Sequence, residues 1–199
     1  MKKIFGAVGV LVLGLGAAMT AGAAQGDLVV RGRLTLLDFD NGQNGMTILV
    51  EADNRWIPEL DFSYYLTDAI STELVLTYPQ KVDIAVNGAD AGSVRALPPT
   101  LLLQYHFKPV GSFTPYVGAG VNLTLFSKRG LLGGAARTDK SSTGVAAQIG
   151  ADYDFDSQWS MNVDLKYIDM NTRVHVSDTV MGTLDLNPWV ASVGIGYRF

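Results

Sequence analysis

The chain has 199 residues, no cysteine and a formal charge of −4. Disulfides therefore do not brace it, and no basic surplus is present to hold nucleic acid. Beyond the N-terminal segment no run of roughly 18 apolar residues occurs, which excludes a transmembrane helix there and leaves a closed barrel as the means of spanning a membrane.

The first residues read as a secretory signal peptide. Lys2 and Lys3 form a positive start, "IFGAVGVLVLGLGAAM" is the apolar stretch, and Ala21-Gly22-Ala23 fits small-x-small cleavage. Residues 1–23 are expected to be removed, leaving 24–199 as one domain. Taking Lys2 and Lys3 from the 15 basic residues leaves 13 against 19 acidic ones.

Eight segments of about ten residues then alternate in hydrophobicity, the pattern of outer-membrane strands. In "DLVVRGRLTLLDF", Leu28, Val30, Leu34 and Leu36 face one way and Arg31, Arg33 and Thr35 the other. "RWIPELDFSYYL" sends Trp56, Pro58, Leu60, Phe62, Tyr64 and Leu66 out and Glu59, Asp61 and Ser63 in. "ISTELVLTY" follows a short turn, with Glu73, Val75 and Thr77 inward. "TLLLQYHF" puts Leu102, Gln104 and His106 inside, and "TPYVGAGVNLTLF" puts Tyr116, Gly118, Gly120, Asn122 and Thr124 there. "TGVAAQIGADYDF" turns Gln148 and Asp152 inward, and "QWSMNVDLKYID" turns Ser160, Asn162, Asp164 and Lys166 inward. The eighth segment, "NPWVASVGIGYRF", carries Trp189, Ala191, Val193, Ile195, Tyr197 and Phe199 on one face.

Connections alternate between short turns and long segments, roughly 38–54, 79–97, 127–142 and 170–187. Short periplasmic turns and long outer loops are the expected asymmetry of an outer-membrane barrel, with both termini periplasmic. Trp159, Tyr64, Tyr105, Tyr153, Tyr197 and Phe199 gather at one end and Trp56, Tyr78, Tyr167 and Trp189 at the other, as two aromatic girdles. A soluble barrel of lipocalin type would carry the greasy face inside. The aromatic ends, the polar second face with both charge signs and the export signal favour lipid outside. The expected fold is all-β, an eight-stranded antiparallel transmembrane β-barrel.

Eight strands enclose a lumen that side chains nearly fill, and the inward charges are expected to pair across it. Pro79, Pro98 and Pro99 border the third and fourth strands, where proline cannot donate to a ladder. A lateral gap there is one reading; prolines that merely bound the strands are the other. The loops carry apolar residues, around the turn signal Asn87-Gly88 and in "RVHVSDTVMGTLDL". No catalytic constellation emerges: His106 and His175 are the only histidines, His175 beside Ser177 and Asp178 does not make a triad by spacing alone, and Gly118-x-Gly120 serves crowding inside a barrel rather than a nucleotide. No metal site, cofactor or enzyme activity is expected.

At "LPPT" (Leu97 to Thr100), "PYVGAG" (Pro115 to Gly120) and "NPW" (Asn187 to Trp189) the sequence resembles the outer membrane protein W family of Gram-negative bacteria, which includes alkane-uptake barrels. The resemblance runs from the signal peptide to Phe199, and residues 38–54 and 127–142 match poorly. It implies an outer-membrane barrel with a narrow hydrophobic passage for uptake of small hydrophobic molecules, released sideways into the membrane. The candidate passage residues are Val75, Leu102 and Phe126, with Lys166 where some relatives carry an apolar aromatic; Pro79, Pro98 and Pro99 are the candidate lateral seam. The terminal Phe199 looks like the signal read by the barrel assembly machinery. Outer-membrane lipid and lipopolysaccharide are the expected surroundings. A surface barrel serving adhesion, or as a receptor for phage or bacteriocin, without transport, is the alternative.

Overall fold

The computed structural model describes residues 22–38, 42–44, 50–52, 54–86, 89–127, 130–176 and 179–199. In chain order the first stave of the wall is β1 (Leu28–Asp38) with β2 (Gly42–Asn44), and the second is β3 (Val50–Ala52) with β4 (Arg55–Thr67). The third is β5 (Ile70–Thr77) with β6 (Gln80–Val86), and the fourth β7 (Ala89–Leu97) with β8 (Thr100–His106). The fifth is β9 (Phe113–Ser127) with the short β10 (Gly130–Leu131), and the sixth β11 (Ala136–Thr138) with β12 (Ser141–Asp154). The last two are β13 (Trp159–Ile168) with β14 (Asn171–Val176), and β15 (Thr179–Asp185) with β16 (Trp189–Arg198).

Eight of these segments form the ring in the order β12-β13-β16-β1-β4-β5-β8-β9, and pairing of β9 with β12 closes it. Every neighbouring pair is antiparallel. First and last strands meet along Val29↔Arg198 to Asp38↔Trp189, which leaves no open edge in the ring. The eight expected strands are thus present.

Which face meets lipid is settled by burial. Val121 is 60% exposed and Leu103 54%, while Asp61, Glu73 and Thr35 are 0%. A soluble barrel with a greasy interior is excluded, because apolar side chains cover the outside and the ionic ones lie within. Alternation of period two produces this directly: one residue choice per pleat face, repeated along each strand. Ala151 is the exception on the outer face. It is buried, because its side chain is a single methyl between its ladder partners Pro115 and Val163. The expected girdles form ring clusters. Tyr197 packs edge-on against Trp159 at 4.9 Å and Phe199 at 4.7 Å at the periplasmic end, and Tyr167 meets Trp189 at 5.2 Å toward the other.

The long connections differ from the loops expected of them. β6 pairs with β7 and β3, and a second row runs β7-β10-β11-β14-β15-β2, so the wall continues upward as sheet. The alternating apolar residues of these segments supply the reason, since a sheet extended from the ring pairs their backbone groups. Asn87, Gly88, Ser177 and Asp178 lie outside the described residues. Gly120 shows why small residues sit inside: a Cβ there would strike the Leu101 carbonyl and Leu102 Cα of the adjoining strand.

Candidate functional site

The interior has two storeys. The lower one, in the periplasmic half, is ionic. Arg31 is tied to Asp152 (Nη2–Oδ2 3.0 Å), to Asp61 (3.3 Å) and to Ser63, whose hydroxyl accepts at 2.7 Å. Arg33 reaches Asp61 (Nε–Oδ2 3.0 Å), Glu73 (Nη2–Oε1 3.0 Å) and Glu59 (3.4 Å). Gln148 donates to Glu73 at 2.9 Å. Asn162 donates to Asp152 at 2.9 Å and to the Tyr116 hydroxyl at 3.1 Å, and that hydroxyl donates to Asp164 at 3.1 Å. Strand alternation puts these groups inside, and each buried charge meets an opposite one, as burial demands.

Lys166 is the loosest member. It is buried, with ion-pair distances of 3.4 Å to Asp164 and 3.8 Å to Glu59, and its ammonium makes no hydrogen bond among the described residues. It lies at the top of the ionic storey, with Val190 as its ladder partner and Ile168 two residues further on. Both belong to the storey above.

That upper storey is an apolar cluster of Leu37, Ile57, Val75, Val94, Ala96, Leu102, Phe126, Leu131, Ala136, Ala146, Ile168, Met170, Leu186 and Val190, with Val174 and Val176 packed against it. Val75, Leu102 and Phe126 are therefore brought together, and Lys166 underlies them. Sequence reasoning did not assemble the remainder, because most come from segments read as loops or from one or two residues at strand ends. A small hollow opens instead at the periplasmic end, lined by Val29, Arg31, Tyr65, Asp152, Asp154 and Arg198. Nearby His106 is held by Ser71 (Oγ to Nε2 3.0 Å) and the Tyr65 hydroxyl (3.3 Å to Nδ1).

The prolines flank a real break in the wall. The β5–β8 ladder ends at Val75↔Thr100, and the next pair across the same two staves is Gln80↔Ala96. Leu76 to Pro79 face Leu97 to Pro99 with no ladder pair between them. On the far side the fourth stave keeps one register with β9, from Leu97↔Leu125 to Thr100↔Asn122, and Leu123 donates to the Pro99 carbonyl at 3.0 Å. The break is thus confined to one edge of the prolines. Two buried amides satisfy polar groups on its two edges, each from its own side, and neither spans it. Asn122 donates to Thr100 Oγ1 (2.9 Å), Pro99 O (3.2 Å) and Pro98 O (3.4 Å). Gln80 donates to Tyr78 O (2.8 Å) and Thr77 Oγ1 (3.1 Å). Gln80 escaped the sequence reading because the ladder shifts by one residue after Pro79, turning it inward.

Above the ring, Asp139 receives Arg173 Nε and His175 Nε2, each at 2.8 Å. Burial raises the Asp139 carboxyl, but those two hydrogen bonds outweigh it and hold the group below the ordinary aspartate value.

A model of the OmpW family matches residues 24–199. The outer-membrane protein y4mB of Sinorhizobium fredii is 37% identical over 190 residues, covering 91% of this chain and 82% of its own. Outer membrane protein W of Escherichia coli is 35% identical over 151 residues, 70% of this chain and 71% of that one. The crystal structure of OprG from Pseudomonas aeruginosa superposes with a TM-score of 0.78 at 29% identity, covering 90% of this chain and 98% of that one.

Proposed function

The chain belongs to the OmpW family of outer-membrane β-barrels, and on that footing we propose that it is a passage for small hydrophobic molecules rather than an enzyme, with lateral release into the membrane. One observation carries this reading: the apolar cluster lies directly against the break between the third and fourth staves. Val75 belongs to that cluster and forms the last ladder pair below the break. Straight passage to the periplasm is opposed by the ionic storey, where an apolar solute would have to separate paired, desolvated charges. The sideways route leads past Pro79, Pro98 and Pro99 into lipid of matching polarity. Val75, Leu102 and Phe126 are the walls that a solute displaces, and Lys166 marks the lower limit of the chamber. Residues 1–23 act as the export signal, and Phe199 as the group presented to the assembly machinery.

The test is uptake of naphthalene or a labelled medium-chain alkane by intact cells with and without the protein, at constant lipopolysaccharide. Replacing Pro98 and Pro99 with threonine restores two donors, so uptake should slow; Leu102→Trp should block it by filling the chamber. Unchanged uptake in a correctly folded Pro98→Thr/Pro99→Thr variant would remove the lateral exit. No difference between cells with and without the protein would leave the extended wall as a display surface for an adhesion or receptor role.

A further inference from the structure

Outside the wall, just above the lipid-facing apolar band, basic side chains line up on one tier. Lys81 on β6 and Arg95 on β7 are directly opposite ladder partners, and both are exposed. Arg95 is in turn partnered by Ser127 on β9. Asp83 lies on the same face and is already shared between Lys81 (2.6 Å) and Arg55 (3.6 Å). Arg95 meets no carboxylate among the described residues.

Three features make this more than a solvated rim. The chain is acidic overall, so a surplus of cations on one tier is a local concentration. Like charges directly opposite on one sheet face destabilise the pair; Lys81 and Arg95 stand so, and the one carboxylate beside them, Asp83, is shared with Arg55. The height is that of lipid headgroups, since exposed Tyr78 and Trp56 lie immediately below on the third and second staves. We infer that the Lys81–Arg95 pair binds a phosphate of the phosphorylated glycolipid of the outer leaflet. Adjacent strands are about 5 Å apart, so the two long side chains can close on one phosphate group from both sides. Lys81 and Arg95 also sit just above the proline break, so the bound glycolipid would stand at its mouth.

The test uses the complete barrel refolded into phospholipid nanodiscs and titrated with diphosphorylated lipid A, its dephosphorylated form, or inorganic phosphate. Lys81→Gln/Arg95→Gln should weaken lipid A binding about tenfold or more, and dephosphorylation should weaken it as much for the native chain. Raised salt should weaken it too, because exposed charge contacts are screened. Lys108→Gln, in a periplasmic turn, should bind like the native chain, and both variants should keep the heat-modifiable migration of a folded barrel. Equal binding of lipid A by the double variant overturns the assignment, as does equal binding of the dephosphorylated form. Displacement by inorganic phosphate at comparable concentration overturns it in favour of a free-anion site. Uptake of apolar solutes is a separate readout, and its failure leaves this binding result standing.

Discussion

The Tyr116 ring lies against Gly150, its partner across the β9–β12 ladder, so closely that a Cβ at position 150 would collide with the ring's Cζ and hydroxyl oxygen. The missing side chain makes the seat from which the Tyr116 hydroxyl reaches Asp164 and Asn162. Gly150→Ala should therefore expel the ring and lower stability by about 1–3 kcal/mol. Tyr116→Phe keeps the ring and removes the hydroxyl from its buried partners Asp164, Asn162 and Arg33, a loss of about 1–3 kcal/mol. Urea unfolding in micelles measures both. Because each change breaks the same contacts, the double variant should lose less than the two separate losses together. Full additivity would mean that Gly150 does not act through Tyr116.

The ionic storey distinguishes its cations by how closely each holds its carboxylates. Arg33→Met strips the 3.0 Å partner from both Asp61 and Glu73 and leaves Glu59 with Lys166 at 3.8 Å. Breaking a buried pair from one side costs about 3–5 kcal/mol. Lys166→Met should cost clearly less, since Asp164 keeps the Tyr116 hydroxyl and Glu59 keeps Arg33. Equal losses in urea unfolding would show that Lys166 supplies charge balance rather than specific contacts.

The two storeys were unequally legible in the sequence. Arg31, Glu59, Asp61 and Asp164 announce themselves, because a charge on the regular inner face of an alternating strand has no other reading. The apolar storey is hidden. Met170, Leu186 and Val94 lie in stretches broken by Asn, Asp, Pro and Gly, where short strands join at bends and the period of two is reset. Gln80 is the sharpest case: the shift after Pro79 reverses its side of the wall, and no local signal gives the size of that shift. The prolines themselves were visible, but not that they interrupt one ladder while leaving the other intact.

Asp139 gives a pH prediction outside the membrane-spanning strands. Its folded value is held below the ordinary one by Arg173 and His175 against the opposing effect of burial. A depressed carboxylate contributes stability that is present above its unfolded value and lost as pH falls through its folded value. The link between β11 and β14 should therefore persist at neutral pH and loosen only in strong acid, below the ordinary aspartate range. Carbonyl NMR titration of Asp139 reads this directly, and Arg173→Gln should move the transition upward. A titration that stays in place in that variant would assign the shift to another cause.

Asn122 separates two ways of opening the wall. Its amide donates to Thr100 Oγ1 and to the carbonyls of Pro98 and Pro99, while its own oxygen accepts from Thr124 at 2.7 Å. Asn122→Leu keeps similar bulk but removes those donors, leaving the proline carbonyls without this buried partner. Stability should fall by about 1–3 kcal/mol. If solutes leave beside the prolines, uptake by cells carrying Asn122→Leu should rise, because the proline edge of the break is no longer anchored to β9 and can yield, while Pro98→Thr/Pro99→Thr slows it. Opposite signs from two neighbouring changes cannot come from a general loss of folding, which would slow both. Slower uptake in the Asn122→Leu variant, at native abundance in the membrane, would place the exit elsewhere in the wall.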